Sequence, residues 1–152
     1  MITLRQDDPT SPAVADLLAA HVAFGRAGRP AENAHVLGAD GLSTPTVTFW
    51  TAWEGTALAG FAALKELEPT HGEVKSMRTA PTFLRRGVAR LLLDHIAATA
   101  RTRGYRRISL ETGSGSAFGP AIALYQAFGF VDGPVFGGYP PSPHNRFMTL
   151  LL

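Results

Sequence analysis

Met77-Arg78-Thr79-Ala80-Pro81-Thr82-Phe83-Leu84-Arg85-Arg86-Gly87-Val88-Ala89-Arg90 is the stretch on which the fold turns. A short apolar strand ends at a proline, crosses a basic loop containing one glycine, and enters a helix. From Gly87 to Arg103 the apolar residues Val88, Leu91, Leu92, Ile96 and Ala100 recur at helical spacing. Gly104 closes the last turn, and Arg101 and Arg103 lie near the negative end of the helix dipole. At the other end the first backbone N–H groups of a helix lack internal partners. They point at the same place as Arg85, Arg86 and Arg90. A phosphate-bearing ligand suits that combination. An Arg-Arg-Gly triplet alone reads equally well as a solvated turn; the strand before it and a matched segment downstream favour the ligand.

Outward from this centre the chain alternates strand and helix. Ile2–Arg5 has strand alternation, Pro9–Phe24 has helical spacing, and a second short helix is expected between Pro30 and Leu37. Gly38–Pro45 reads as a loop. Thr46–Trp53 is rich in β-branched and aromatic residues, and Glu54-Gly55-Thr56 turns it into Ala57–Leu67. Glu73–Thr79 and Arg107–Glu111 are the next strands. A helix lies within Ala117–Phe128, with Pro120 in its first turn and Gly129 ending it. Strands near Phe130–Phe136 and Phe147–Leu151 flank a Gly/Pro-rich loop. No repeat or linker interrupts the pattern, so residues 1–152 form one domain of α+β type.

Composition narrows the chemistry. With 152 residues, 45% hydrophobic and 17% charged, the chain is long and apolar enough for a real core. It has no cysteine, which removes disulfides, thiolate metal sites and a cysteine nucleophile. His21, His35, His71, His95 and His144 show no metal-ligand spacing, so no metal is expected. His71 reads as a surface residue in a turn. A net charge of +2 argues against a nucleic-acid partner, despite the basic run Arg101–Arg107. There is no membrane-length apolar stretch and no signal-like N-terminus, which gives a cytoplasmic expectation.

Two motifs in register carry a family resemblance. Arg85-Arg86-Gly87-Val88-Ala89-Arg90 after a strand resembles the pyrophosphate loop of the GNAT superfamily of acyl-CoA-dependent N-acyltransferases. Ile122-Ala123-Leu124-Tyr125-Gln126-Ala127-Phe128-Gly129-Phe130 is similar to the family's second conserved element. The order of strands extends the resemblance over essentially the whole chain. Gly72–Met77 and Leu110–Gly113 look like a bacterial branch of mostly small-molecule or uncharacterised acetyltransferases. One position departs: Leu84 stands where the family usually has Gln or Arg. Main-chain N–H groups supply much of the phosphate binding in this fold, so the departure implies weaker binding rather than none.

The resemblance implies a mixed, mostly antiparallel sheet of about six or seven strands flanked by helices, with a splay between the two central strands. It implies acetyl-CoA as co-substrate, its pantetheine held by backbone groups of Met77, Arg78 and Thr79. Arg85, Arg86, Gly87, Val88, Ala89 and Arg90 would receive the phosphates. Tyr125 corresponds to the tyrosine that protonates the departing thiolate, and Glu73 to a strand glutamate that acts as base. An alkyl ammonium lies about three pK units above neutrality, so deprotonating it costs roughly 4–5 kcal/mol, which a base must partly offset. Glu111, at the end of the opposing strand, is a rival base or a substrate-binding group. Tyr139 in the Gly/Pro-rich loop is expected on the acceptor wall, with Pro30–Pro45 on the other side. Each has an ordinary alternative: core packing for Tyr125, an ion pair with Lys75 for Glu73, a rigid loop around Tyr139. The expected acceptor is a small-molecule amine. A protein or peptide amine and a non-catalytic acyl-CoA-binding module are the alternatives, and a homodimer is left open.

Overall fold

The computed structural model describes residues 1–152. In chain order the strands are β1 (Thr3–Gln6), β2 (Val47–Glu54), β3 (Ala57–Glu68), β4 (His71–Thr79), β5 (Arg107–Gly113), β6 (Val131–Asp132) and β7 (Asn145–Leu151). The helices are α1 (Ala15–Arg26), α2 (Ala39–Leu42), α3 (Val88–Thr102) and α4 (Gly119–Phe128). The seven strands form one sheet in the order β1-β2-β3-β4-β5-β7-β6. Every neighbouring pair is antiparallel except β4 and β5, which run parallel. This is the mixed, mostly antiparallel open sheet that the sequence implied.

Both faces of the sheet are covered, which explains the unbroken buried runs in β2 and β3. On one face Leu92, Leu93 and Ile96 of α3 and Ile122 and Tyr125 of α4 pack with Trp50, Leu64, Val74, Ile108 and Met148. On the other, Val14, Leu18 and Leu42 pack with Phe49, Phe61 and Ala63. Period-two alternation then sorts β4: Val74 joins the α3 face, while His71, Glu73 and Lys75 are set on the opposite side.

The central opening follows from the pairing. β4 and β5 are in register only at His71↔Arg107, Gly72↔Ile108 and Glu73↔Ser109. Beyond Glu73, β4 stays with β3, and all seven residues of β5 stay with β7. A bulge bends β4 away: the β3–β4 register slips between Ala63↔Lys75 and Phe61↔Arg78, and Ser76 takes a left-handed φ of 51°. Bulges re-aim a strand locally, and here one separates two parallel neighbours after three residues.

Several local expectations shift. The helix expected from Pro9 begins at Ala15, because Asp8 accepts from the backbone N–H and hydroxyl of Thr10 and holds residues 8–11 in a turn. Between Pro30 and Leu37 only one 3-10 turn forms, Ala31–Asn33, while the expected loop at Gly38–Pro45 contains α2, anchored by buried Leu42. The strand expected over Phe130–Phe136 shrinks to Val131–Asp132 ahead of Gly133-Pro134. His71 is buried, not exposed: it opens β4 and its Nε2 lies 2.8 Å from the Ser109 hydroxyl. Burial, and next the charge of Arg107, lower its pKa.

Candidate active site

The gap between β4 and β5 opens into a cleft of about 460 Å³. Its walls are β4 from Glu73 to Thr79, β5 from Leu110 to Thr112, the α4 residues Pro120, Ala121, Leu124 and Tyr125, and residues of α1 and the loop after it. The cleft brings together some of the sequence-predicted residues, whereas Arg85, Arg86, Gly87, Val88 and Arg90 adjoin it through Leu84 and Ala89 without lining it. Glu73, Met77, Arg78, Thr79, Ala89, Glu111 and Tyr125 all line this cleft, and Tyr139 reaches its rim through Glu73.

At one end stands the start of α3. Gly87 is its N-cap in the left-handed region (φ 78°), with no side-chain cap, and a Cβ there would meet nothing within 4 Å. The first internal bond of the helix runs from Leu91 N–H to the Gly87 carbonyl, and the N–H groups of residues 85–90 have no acceptor in the protein. Arg85 also has a left-handed φ of 62°, the kind of turn conformation from which backbone N–H groups form anion-binding concavities. Residues 85–90 thus fit a diphosphate by their main chain. The side chains contribute unequally. Arg86 is bonded to Glu54, Arg90 lies over the Phe128 ring and near Asp94, and Arg85 has no ion pair. Val88 is buried in the core, leaving only its N–H to offer. Leu84 is 60% exposed and lines the cleft beside Ala89.

The middle of the cleft holds the unpaired edges of β4 and β5. Beyond residue 73 neither strand has a ladder partner on the facing side, so an extended chain carrying amide groups can pair there as a strand would. Tyr125 stands beside this gap on α4 and is 9% exposed. Burial, assisted by the charge of Glu111, pushes its pKa up to about 12. Its phenol is therefore protonated throughout the physiological range.

The β4–β5 end of the cleft holds two carboxylates, each with a cation. Glu73 is 2% exposed; it accepts from the Tyr139 hydroxyl at 2.7 Å and lies 3.4 Å from Lys75 Nζ. Lys75 Nζ also donates to Tyr139 Oη. Tyr139 thus sits between the two charges, and burial together with Glu73 raises its pKa strongly. The loop reaches this position because Gly137 and Gly138 supply consecutive left-handed turns (φ 61° and 77°), which β-carbon-bearing residues adopt poorly. Glu111 is bonded to Arg29 Nη1 and to Asn145 Nδ2, both at 3.0 Å, and the Arg29–Glu111 pair is almost fully buried.

Three residues here were not assigned a role from the sequence. Arg29 follows α1 and crosses to β5. His21 and His35 line the cleft, and each has a buried ring nitrogen without a hydrogen-bond partner. Burial, and then Arg78, lower the His21 pKa to about 4. Nothing in the local sequence marks these residues, since it is the fold that carries α1 across the β4–β5 opening. No group of three or more His, Asp or Glu side chains is arranged to hold a metal ion.

With this geometry in view, residues 14–130 match the Acetyltransferase (GNAT) family, and the chain belongs to it. It is 49% identical over 152 residues to the uncharacterized N-acetyltransferase YedL of Escherichia coli, covering 100% of this chain and 96% of that protein. It is 34% identical over 148 residues to an IAA acetyltransferase of Azospirillum brasilense, covering 97% and 95%. A Klebsiella pneumoniae structure described as an acyl-CoA N-acyltransferase superposes with a TM-score of 0.82 at 26% identity, over 100% of this chain and 98% of that one. A GNAT family acetyltransferase from Elizabethkingia anophelis, solved with acetyl-CoA bound, shares the fold with a TM-score of 0.75 at 20% identity, over 99% and 98%. The protein is an acetyltransferase of the GNAT family, a family that uses acetyl-CoA.

Proposed function

We propose that the protein transfers the acetyl group of acetyl-CoA to the primary amine of a small molecule by direct attack. The observation that carries this reading is the continuity of one cleft, from Leu84 and Ala89 at the start of α3, along the open strand edges, to Tyr125 and Glu73. In this reading residues 85–90 hold the diphosphate, Met77, Arg78 and Thr79 hold pantetheine through their backbone, and the thioester lies beside Tyr125.

The amine nitrogen attacks the thioester carbon, the C–N bond forms, and collapse of the tetrahedral adduct breaks the C–S bond. The proton lost by nitrogen passes to the Glu73 carboxylate, directly or across the Tyr139 hydroxyl that already bonds it. The departing sulfur receives a hydrogen bond, and finally a proton, from Tyr125. A phenol at about 12 is the weaker acid beside a thiol near 8.5, so complete transfer from Tyr125 is uphill by roughly 5 kcal/mol on its own. Its contribution is therefore chiefly a hydrogen bond to the developing thiolate. The proton that Tyr125 finally gives up is returned to its phenolate from the Glu73 carboxylic acid formed when the nitrogen discharged, a downhill transfer. Glu111, held by Arg29 and Asn145, forms a fixed wall in this scheme, and Glu73 is the base.

A small acceptor is favoured because the cleft of about 460 Å³ must hold the pantetheine arm as well, and His35, packed against the Tyr139 ring, and Val36 line its wall.

Thiol release from acetyl-CoA across an amine panel tests the reaction. Tyr125→Phe is expected to lower kcat about 10²-fold while acetyl-CoA affinity stays within about twofold. Unchanged kcat would remove the sulfur-side role. Glu73→Gln is expected to lower kcat/KM by a similar factor, about 10². An effect confined to KM would move the base elsewhere, Glu111 first.

A further inference from the structure

We propose that the acceptor carries a carboxylate as well as its amine, and that Arg78 with His21 forms the subsite that receives it. The inference rests on the acyl-transfer reading above and narrows its substrate class.

Buried side-chain polar atoms without a partner number four in the molecule: His21 Nδ1, His35 Nε2, Arg78 Nε and Asn145 Oδ1. The first three belong to residues lining the same cleft, and the fourth belongs to the amide that holds Glu111 in its wall. Buried polar groups in folded proteins are ordinarily paired, so a cluster of enclosed exceptions beside one cleft marks side chains that gain partners by shifting when a molecule binds there. The chemistry of the cluster is directional. Arginine Nε can only donate.

Charge points the same way. The cleft presents Arg29, Lys75 and Arg78 against Glu73 and Glu111. Arg29 is paired with Glu111 and Lys75 with Glu73, whereas Arg78 has no carboxylate partner. Its guanidinium lies 4.5 Å over the Phe24 ring, and Nη2 makes only a 3.3 Å contact to the Ala20 carbonyl. Although the Arg78 backbone belongs to the strand edge, its side chain is turned onto α1, the acceptor side. His21, one α1 turn before Phe24 and Gly25, lines the same cleft beside Arg78. A carboxylate entering the cleft meets the unpaired Arg78 guanidinium, while Phe24 supplies an apolar surface for the body of the substrate. A small shift of the two side chains is needed to bring the enclosed Arg78 Nε and His21 Nδ1 into hydrogen-bond reach. A protein N-terminus carries an amide where a free amino acid carries its α-carboxylate.

The experiment uses the full chain, saturating acetyl-CoA and matched pairs: L-phenylalanine with phenethylamine, L-methionine with 3-(methylthio)propylamine, and γ-aminobutyrate with butylamine. Aminomethylphosphonate and an N-terminal peptide amide complete the panel. The carboxylated member of at least one pair is expected to have kcat/KM higher by about 10- to 100-fold, carried mainly by KM. Arg78→Gln is expected to shrink that ratio to about threefold or less, and Arg78→Lys to keep part of it. On the unmodified protein, 3-phenylpropionate is expected to compete with the amine and not with acetyl-CoA, a readout independent of whether the variants fold. Equal turnover within every pair, a preference for the peptide amide or phosphonate, or a ratio unmoved by Arg78→Gln would overturn the subsite. Absence of thiol release with every amine would instead overturn the acyl-transfer reading.

Discussion

His21 shows how a single side chain ties the site to the stability of the whole protein. Its imidazole packs edge-on to Phe61 with the rings 5.6 Å apart and lies beside Arg78, and both burial and that charge disfavour its protonated form. The folded-state pKa near 4 lies below the ordinary 6.5, so between those values the unfolded chain binds the extra proton and the folded one does not. Stability is therefore unaffected above about pH 6.5 and falls as the pH drops toward 4. At pH 5 the loss is about 2 kcal/mol. His21→Leu is expected to remove that part of the pH dependence, measured as the urea midpoint at pH 7 and pH 5. An equal slope in both proteins would show that the ring is solvated rather than buried against Arg78. Little of this was readable beforehand: a lone histidine on a helical stripe looks the same whether it faces a core or a cleft. Tyr125 could be placed at the cleft because it sits inside the second motif, and Glu73 because it lies on the strand that feeds the basic loop. Arg29, His21 and His35 were not, because their relation to the site exists only through the packing of α1 across the opening.

At the scale of elements, the opening depends on a close approach at Gly60. A Cβ there would lie 2.6 Å from the Arg78 carbonyl oxygen and 3.1 Å from a Val88 methyl. Gly60 therefore lets the outer half of β4, displaced by the bulge at Ser76, run tightly past β3 beneath the start of α3. Gly60→Ala is expected to cost about 1–3 kcal/mol by overpacking. It should also weaken acetyl-CoA binding, since relief of the clash moves Arg78 and Thr79. Gly38→Ala, where a Cβ meets nothing within 4 Å, is the control; it loses only a glycine N-cap of α2, should cost no more than about 1 kcal/mol, and should leave acetyl-CoA affinity unchanged. Isothermal titration and thermal denaturation of both variants check this; stability lost without any change in cofactor affinity would detach the strand edge from binding. The strands and α3 were visible in the sequence because β-branched runs and a 3.6-residue period are strong signals. The bulge was not, since Ser76 carries no glycine to announce its left-handed backbone. α2 was equally hidden, being four residues stabilised by the burial of Leu42 rather than by its own propensity.

For the whole molecule, the sheet is two antiparallel blocks, β1 to β4 and β5 to β7, joined at their boundary by three parallel residue pairs. The shared core beneath α3 and α4 holds the blocks together, with Val88, Leu92 and Ile96 packed in one cluster with both Val74 and Ile108. An extended ligand between the blocks supplies the strand pairing that the protein omits, so binding should stiffen this boundary above all. At a free acetyl-CoA concentration about 100 times Kd, linkage adds about 2.7 kcal/mol of stability. With an unfolding entropy of about 2.1 cal/mol/K per residue, a 152-residue chain should gain about 8 °C in Tm. The spatial pattern is the sharper test. Hydrogen exchange should slow most at the amides of residues 76–79 and 85–90, which lie on the open edge of β4 or lack acceptors before α3, and much less in β1 and β2, whose ladders are already complete. Protection spread evenly over the sheet, or a Tm rise without protection at residues 85–90, would mean that the nucleotide's phosphates bind away from the α3 N-terminus and that the central opening serves another ligand.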